Sequence, residues 1–178
     1  MRFWLACLAA TLLAACAGVP ERPGDGQSLG PPVQRFVAEG RIALRQGERR
    51  DHLRFRWEHT PGSDVVLLMS PLGQGLAELT RDNSGVRLAQ PQQPAIAADS
   101  LRQLAQKVFS VPLPLESVAD WLRGARPELA GEVDGWRVAV TESSAPPPGK
   151  SRLLRVIEAG RGDVDFKLIV DDWDLPDE

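Results

Sequence analysis

Few side chains in this 178-residue chain are placed to do chemistry, and the first is a cysteine. Cys16 closes the tetrapeptide Leu13-Ala14-Ala15-Cys16, the pattern of a bacterial lipobox. That resemblance implies that the Cys16 thiol is diacylglycerated, that the chain is cut before it, and that the new amino group is usually acylated. Arg2 and the apolar run 3–15, broken only by Thr11, fit the same reading. The run is shorter than the roughly 20 residues that a bilayer span needs, so residues 1–15 are expected to be a lipoprotein signal peptide. Cys7 falls in the discarded part, which leaves one lipidated cysteine and no possible disulfide within the chain. The alternative is an ordinary secretory signal followed by a free thiol. Ala17 follows Cys16 where an aspartate would typically retain a Gram-negative lipoprotein in the inner membrane, so the expected address is the periplasmic face of the outer membrane.

The other candidates are weak. Gly26-Gln27-Ser28-Leu29-Gly30 matches the G-x-S-x-G nucleophile pattern but lies among prolines, without the strand and helix that such a serine needs. His52 and His59 are seven positions apart on a strand pattern, hence on opposite faces, and read as surface histidines rather than metal ligands. Asp163, Asp165, Asp171, Asp172 and Asp174 lack the spacing of a calcium loop and read as a solvated face. Gly73 and Gly75 do not extend to a dinucleotide fingerprint. No catalytic constellation, metal site or cofactor site is expected. A formal net charge of −3 argues against nucleic acid as a partner.

The elements that would position any site are mostly strands. Residues 16–34 are the lipidated cysteine and a Pro/Gly-rich tether, whose reach is about 20–25 Å at roughly 5–6 Å times the square root of its length. Residues 35–178 are expected to be one domain. "FVAEGRIALR" reads as a strand, and "HLRFRWEH" alternates with Leu53, Phe55 and Trp57 on one face. "VVLLM" is a strand apolar on both faces; "LAELT" and "VRLAQ" follow. Asp99 or Ser100 caps a helix with Leu101, Leu104, Ala105 and Val108 on one side. A second helix carries Leu115, Val118 and Leu122, with Trp121 at the stripe's edge and Gly124 as its stop. "GWRVAVT", "SRLLRVIEAG" and "DVDFKLIVDDW" are strands again, the last two a hairpin about Arg161-Gly162. Nine to eleven strands with two or three helices mid-chain describe a meander that curls. Such a sheet either encloses a lipid-sized cavity or packs an ordinary core; composition does not separate these.

One stretch is odd. "MSPLGQG", residues 69–75, has turn composition, yet Leu72 sits between Pro71 and Gly73, either exposed at a tip or packed on its own domain.

In order along the chain, Gly40-Arg41-Ile42, Phe55-Arg56-Trp57, Pro71-Leu72-Gly73, Leu113-Pro114-Leu115, Trp121-Leu122-Arg123-Gly124, Gly135-Trp136 and the segment 169–173 resemble the LolB family. The resemblance runs from about Phe36 to Trp173. It implies a mainly β fold with inserted α: an open, incomplete antiparallel β-barrel of about 11 strands, helices packed in and over its mouth, and an apolar cavity. It implies a receptor that accepts acylated lipoproteins from the periplasmic carrier LolA and inserts them into the outer membrane without nucleotide or other cofactor. It assigns membrane insertion to the loop of Pro71, Leu72 and Gly73. From strand pattern alone, Phe55, Trp57, Leu67, Met69 and Leu79 are expected to line the cavity. The protein is expected to be a monomer held at the outer membrane through Cys16, and not an enzyme. A lipid-binding or scaffolding lipoprotein of the envelope with the same barrel is the alternative.

Overall fold

A computed structural model describes residues 31–109, 113–125, 129–144 and 152–175. Cys16, the expected signal peptide, most of the expected tether and the proline-rich stretch after Ala145 therefore lie outside the described residues.

The long alternating segments become long strands: β1 (Phe36–Gln46) and β2 (Arg49–Thr60), then β3 (Ser63–Met69), β4 (Gly75–Asp82), β5 (Gly85–Gln90) and β6 (Gln93–Ala98). Two helices follow, α1 (Leu101–Phe109) and α2 (Leu115–Leu122), then β7 (Ala130–Val133), β8 (Trp136–Ser143), β9 (Leu154–Arg161) and β10 (Val164–Asp174). All described strands join one antiparallel sheet in the order β6-β5-β4-β3-β2-β1-β10-β9-β8-β7. The first and last strands pair at its centre, and the sheet ends at β6 and β7 without closing. The chain crosses from one open edge to the other through α1 and α2. An open antiparallel barrel with helices across its mouth is thus the observed fold, with ten strands and two helices among the described residues.

Two strands were not anticipated. β6 is an edge strand whose Pro94 and alanines blur any alternation. Lys107 Nζ of α1 donates to Ala97 O of β6 at 2.7 Å, so the edge is partly covered. β7 is only four residues long. Its hairpin turn, Asp134-Gly135, has positive φ at both positions (52° and 76°). That dipeptide is a strong hairpin signal and was legible in the sequence.

The inward faces match the alternation. Phe55 and Trp57 of β2, Trp136, Val138 and Val140 of β8, and Val164, Phe166, Leu168 and Val170 of β10 are all buried. Ser100 caps α1: Gln103 N–H donates to its Oγ at 3.2 Å. Leu101, Leu104 and Ala105 then turn into the barrel. On α2, Val118 and Leu122 are buried as the stripe requires. Trp121, expected at the stripe's edge, is wholly buried as well. Gly40 sits at a bulge in β1, where an added Cβ would stand 2.0 Å from Ile169 O and 2.9 Å from the Phe55 ring. Only a residue without a side chain lets β10 and that ring approach so closely.

Candidate functional site: an apolar cavity and an exposed loop

The barrel interior is not filled. Between the concave face of β2–β5 and the two helices lies a cavity of about 360 Å³. This is within the range of roughly 300–1,000 Å³ usual for small-molecule sites. β2 contributes Phe55 and Trp57, β3 contributes Val66 and Leu68, and β4 contributes Ala77 and Leu79. Leu104 and Val108 of α1 and Leu115 and Val118 of α2 close the other side. The wall is almost wholly hydrocarbon, with polar side chains confined to Arg49, Asp51, Asp64, Arg81 and Gln90.

Of the five residues expected from strand pattern, Phe55, Trp57 and Leu79 line this cavity. Leu67 and Met69 do not, and that expectation is corrected. Leu68 pairs with Phe55 and Ala77, and Val66 with Trp57 and Leu79, so even-numbered positions of β3 face inward. Leu67 pairs with Arg56 and Glu78 and Met69 with Arg54, on the convex face. Because β3 is apolar on both faces, only the pairing decides which side looks in.

At one end of the cavity three strands contribute a polar row. His59, Asp64 and Arg81 are neighbours in register across β2, β3 and β4. Asp64 is 2 % exposed. One carboxylate oxygen accepts from Trp57 Nε1 at 2.8 Å and faces His59 Nδ1 at 2.7 Å; the other accepts from Arg81 Nε at 2.7 Å. Burial by itself would raise the Asp64 carboxyl, but hydrogen bonds from His59, Trp57 and Arg81, with the charge of Arg81, outweigh it and hold the group below the ordinary carboxylate range. His59 is 7 % exposed and stacks on Phe36 with ring centroids 5.0 Å apart. It is therefore not a surface histidine, whereas His52 is exposed. The row pins Trp57 in the cavity wall. Sequence spacing alone could not reveal it, because the three residues meet only through strand register.

Beside the cavity stands the β3–β4 loop. Ser70 N–H donates to Gln74 O at 2.8 Å, Gly73 N–H to Ser70 O at 2.9 Å, and Gln74 N–H to Ser70 Oγ at 3.2 Å. Gly73 has φ +85°, a value that disfavours any other residue there. This small braced turn leaves Leu72 97 % exposed, which excludes packing on its own domain. Leu76, just past the loop, is 38 % exposed and also lines the cavity, so apolar surface runs from the loop to the interior. The acidic candidates are surface groups: Asp171 pairs with Arg41 at 2.7 Å, and Asp165 pairs with Arg45. Among the described residues, no group of three or more His, Cys, Asp or Glu side chains is placed to hold a metal ion.

Open barrel, apolar cavity and covering helices together define a protein built to hold an apolar ligand inside an incomplete β-barrel. The family model described as "Outer membrane lipoprotein LolB" matches residues 34–173, and the chain belongs to that family. It is 33 % identical to the outer-membrane lipoprotein LolB of Nitrosomonas europaea, over 91 % of this chain and 87 % of that one. Identity to the protein of the same name from an Azoarcus species is 31 %, over 96 % and 94 % of the two chains. Among solved structures, a LolA superfamily protein from Nitrosomonas europaea superposes with a TM-score of 0.48 at 11 % identity, covering 84 % of this chain and 90 % of that one.

Proposed function

We propose that this protein is the outer-membrane receptor that accepts acylated lipoproteins from a LolA-type periplasmic carrier and inserts them into that membrane. The observation that carries the reading is the apolar cavity of about 360 Å³ with one fully exposed leucine on the loop beside it. An acyl chain of some fifteen methylenes left in water would cost about 12 kcal/mol, at roughly 0.8 kcal/mol per methylene. A dry cavity removes that cost while the chain is in transit. Passage from one dry cavity to another, and then to a bilayer, changes little per methylene. Direction therefore rests on small differences in packing and opening, and no nucleotide is needed. Phe55, Trp57, Val66, Leu68 and Leu79 would hold the acyl chains. Pro71 and Gly73 would shape the turn that presents Leu72 to the acyl region of the membrane. The Cys16 lipid would keep the protein at the inner leaflet of the outer membrane, and the domain would act as a monomer without a catalytic step.

The test is transfer of a lipoprotein from the carrier into liposomes, comparing the wild type with Leu72→Glu. The wild type is expected to take up the lipoprotein and deliver it. The variant should take it up and fail to deliver, since a charge disfavours the acyl region. If neither protein accepts cargo from the carrier, the receptor reading is wrong. Binding of free lipid without competition by carrier-bound lipoprotein would favour a plain lipid-binding role.

A further inference from the structure

The convex face of the barrel beside the Leu72 loop carries an arrangement of charge from which folding gains nothing. On β1 and β2, Arg41 lies opposite Arg54 and Arg45 lies opposite Arg50, all four exposed and on the outer side of the sheet. Like charges directly opposite on neighbouring strands destabilise a sheet. Asp171 neutralises Arg41, and Asp165 neutralises Arg45. Arg50 and Arg54 have no carboxylate partner among the described residues; nearby Asp51 pairs with Arg49 instead. Glu48 in the turn and Asp163, whose backbone oxygen accepts from Gly47 N–H at 3.0 Å, are the opposing charges near Arg50, whereas Arg54 lies further from the tip. Two arginines without an ion-pair partner thus stand on one face of a chain whose net charge is −3.

The position of that face identifies what it meets. Arg54 is the register partner of Met69, the last residue before the loop. β2 continues past that pairing through residues 49–53, an overhang of about 16 Å at roughly 3.3 Å per residue. The loop bearing Leu72 begins at that pairing, so Arg54 lies beside the loop's base and Arg50 further along the overhang. A cation pair beside a protruding apolar side chain matches the layering of a bilayer surface, with phosphates outermost and acyl chains some 5–10 Å further in. The cavity-lining side chains of β2 are on the opposite, concave face. A carrier passing its cargo must address the concave side, not this one.

We propose that the convex face of the β1–β2 hairpin, through Arg50 and Arg54, docks on anionic phospholipid headgroups and so orients the Leu72 loop toward the acyl region. This rests on the reading of Leu72 as a membrane-entering residue. Two cations near an anionic surface strengthen docking about fivefold each, hence roughly twenty-five-fold together at low salt. The effect weakens as salt screens it.

The experiment reconstitutes the full-length, lipid-anchored protein into vesicles of phosphatidylcholine alone, or with a minority of phosphatidylglycerol, and follows insertion of carrier-delivered lipoprotein. The wild type is expected to insert faster into the anionic vesicles, an advantage that salt removes. The double variant Arg50→Gln, Arg54→Gln should lose this advantage while keeping its rate in neutral vesicles and melting no lower than the wild type. A control pair on other strands, Arg87→Gln with Arg155→Gln, should behave as the wild type. Equal insertion by the double variant and wild type in anionic vesicles overturns the proposal. So does a defect of the double variant that is the same in both vesicle types, which would assign the arginines to the carrier. Failure of the wild type to insert into either vesicle would overturn the receptor reading, and this proposal with it.

Discussion

Leu72 and Asp64 are opposite cases of a residue out of its usual environment. Leu72 is an apolar side chain held in water by a turn whose own hydrogen bonds do not involve it. Replacing it therefore disturbs nothing in the fold. Leu72→Glu is expected to stay within about 0.5 kcal/mol of wild-type stability by urea titration, as exposed substitutions do. Any larger loss would mean that the side chain packs somewhere. Asp64 is a charge held out of water by three donors. Asp64→Asn leaves Arg81 and His59 without their partner, and should cost about 3 kcal/mol at neutral pH. The pH dependence has a definite sign. The folded carboxyl titrates below its unfolded value of about 3.9, so its contribution is complete above that value and is lost as pH falls through the lower, folded one. Urea midpoints of the wild type should drop in that acid window, and those of Asp64→Asn should drop less. Identical slopes for the two proteins would show that the row is not what acid breaks.

At the scale of elements, β3 and the β1 bulge carry the consequences. β3 divides apolar side chains between two faces, and only Val66 and Leu68 reach the cavity. Leu68→Trp should obstruct the cavity and lower the affinity for a long-chain fluorescent probe by about tenfold, the equivalent of 1.4 kcal/mol. Leu67→Trp, one residue away on the convex face, should leave it unchanged. Similar affinities in both variants would contradict the register described for β3. Gly40 marks the place where β1 bends and β10 comes close. Gly40→Ala drives a methyl group into a backbone carbonyl that cannot rotate away. It should destabilise the domain by about 3 kcal/mol, at the upper end of overpacking costs, read as a lowered melting temperature. A variant with wild-type stability would show that the bulge is free to relax.

For the whole molecule, the decisive property is that the sheet stays open and the helices occupy the gap. α1 is joined to both edges, through Lys107 and Ala97 O of β6 and through Arg102 and Asp134 in the β7–β8 turn at 2.6 Å. These are exposed contacts, worth little each, so α1 is held chiefly by its buried apolar face. Its inward face, with Leu101, Leu104 and Ala105, also forms part of the cavity wall. A ligand that fills the cavity binds the folded chain only. At a hundredfold excess over its dissociation constant, a long-chain acyl ligand should stabilise the protein by about 2.7 kcal/mol, visible as a raised melting temperature. No shift at saturation would mean that the cavity does not take such a ligand.

Much of this was legible before the fold. Alternation reveals facing wherever the two sides of a strand differ in polarity, as at Phe55 and Trp57, Trp136 to Val140, and Val164 to Val170. The helical stripes were equally plain, and turn composition around Leu72 marked the loop. Such patterns are local: each needs only the period of its own element and the contrast between water and apolar surroundings. What local pattern cannot carry is pairing. β3 is apolar on both faces, so Leu68 rather than Leu67 looks inward only because of how β2 and β4 hydrogen-bond to it. His59, Asp64 and Arg81 form a row for the same reason, turning a histidine expected at the surface into a buried one. The emptiness of the interior is the largest tertiary decision. The residues that could have packed one ordinary core do so only in part: helix and strand side chains share a buried cluster, yet a cavity remains between the helices and β2–β4.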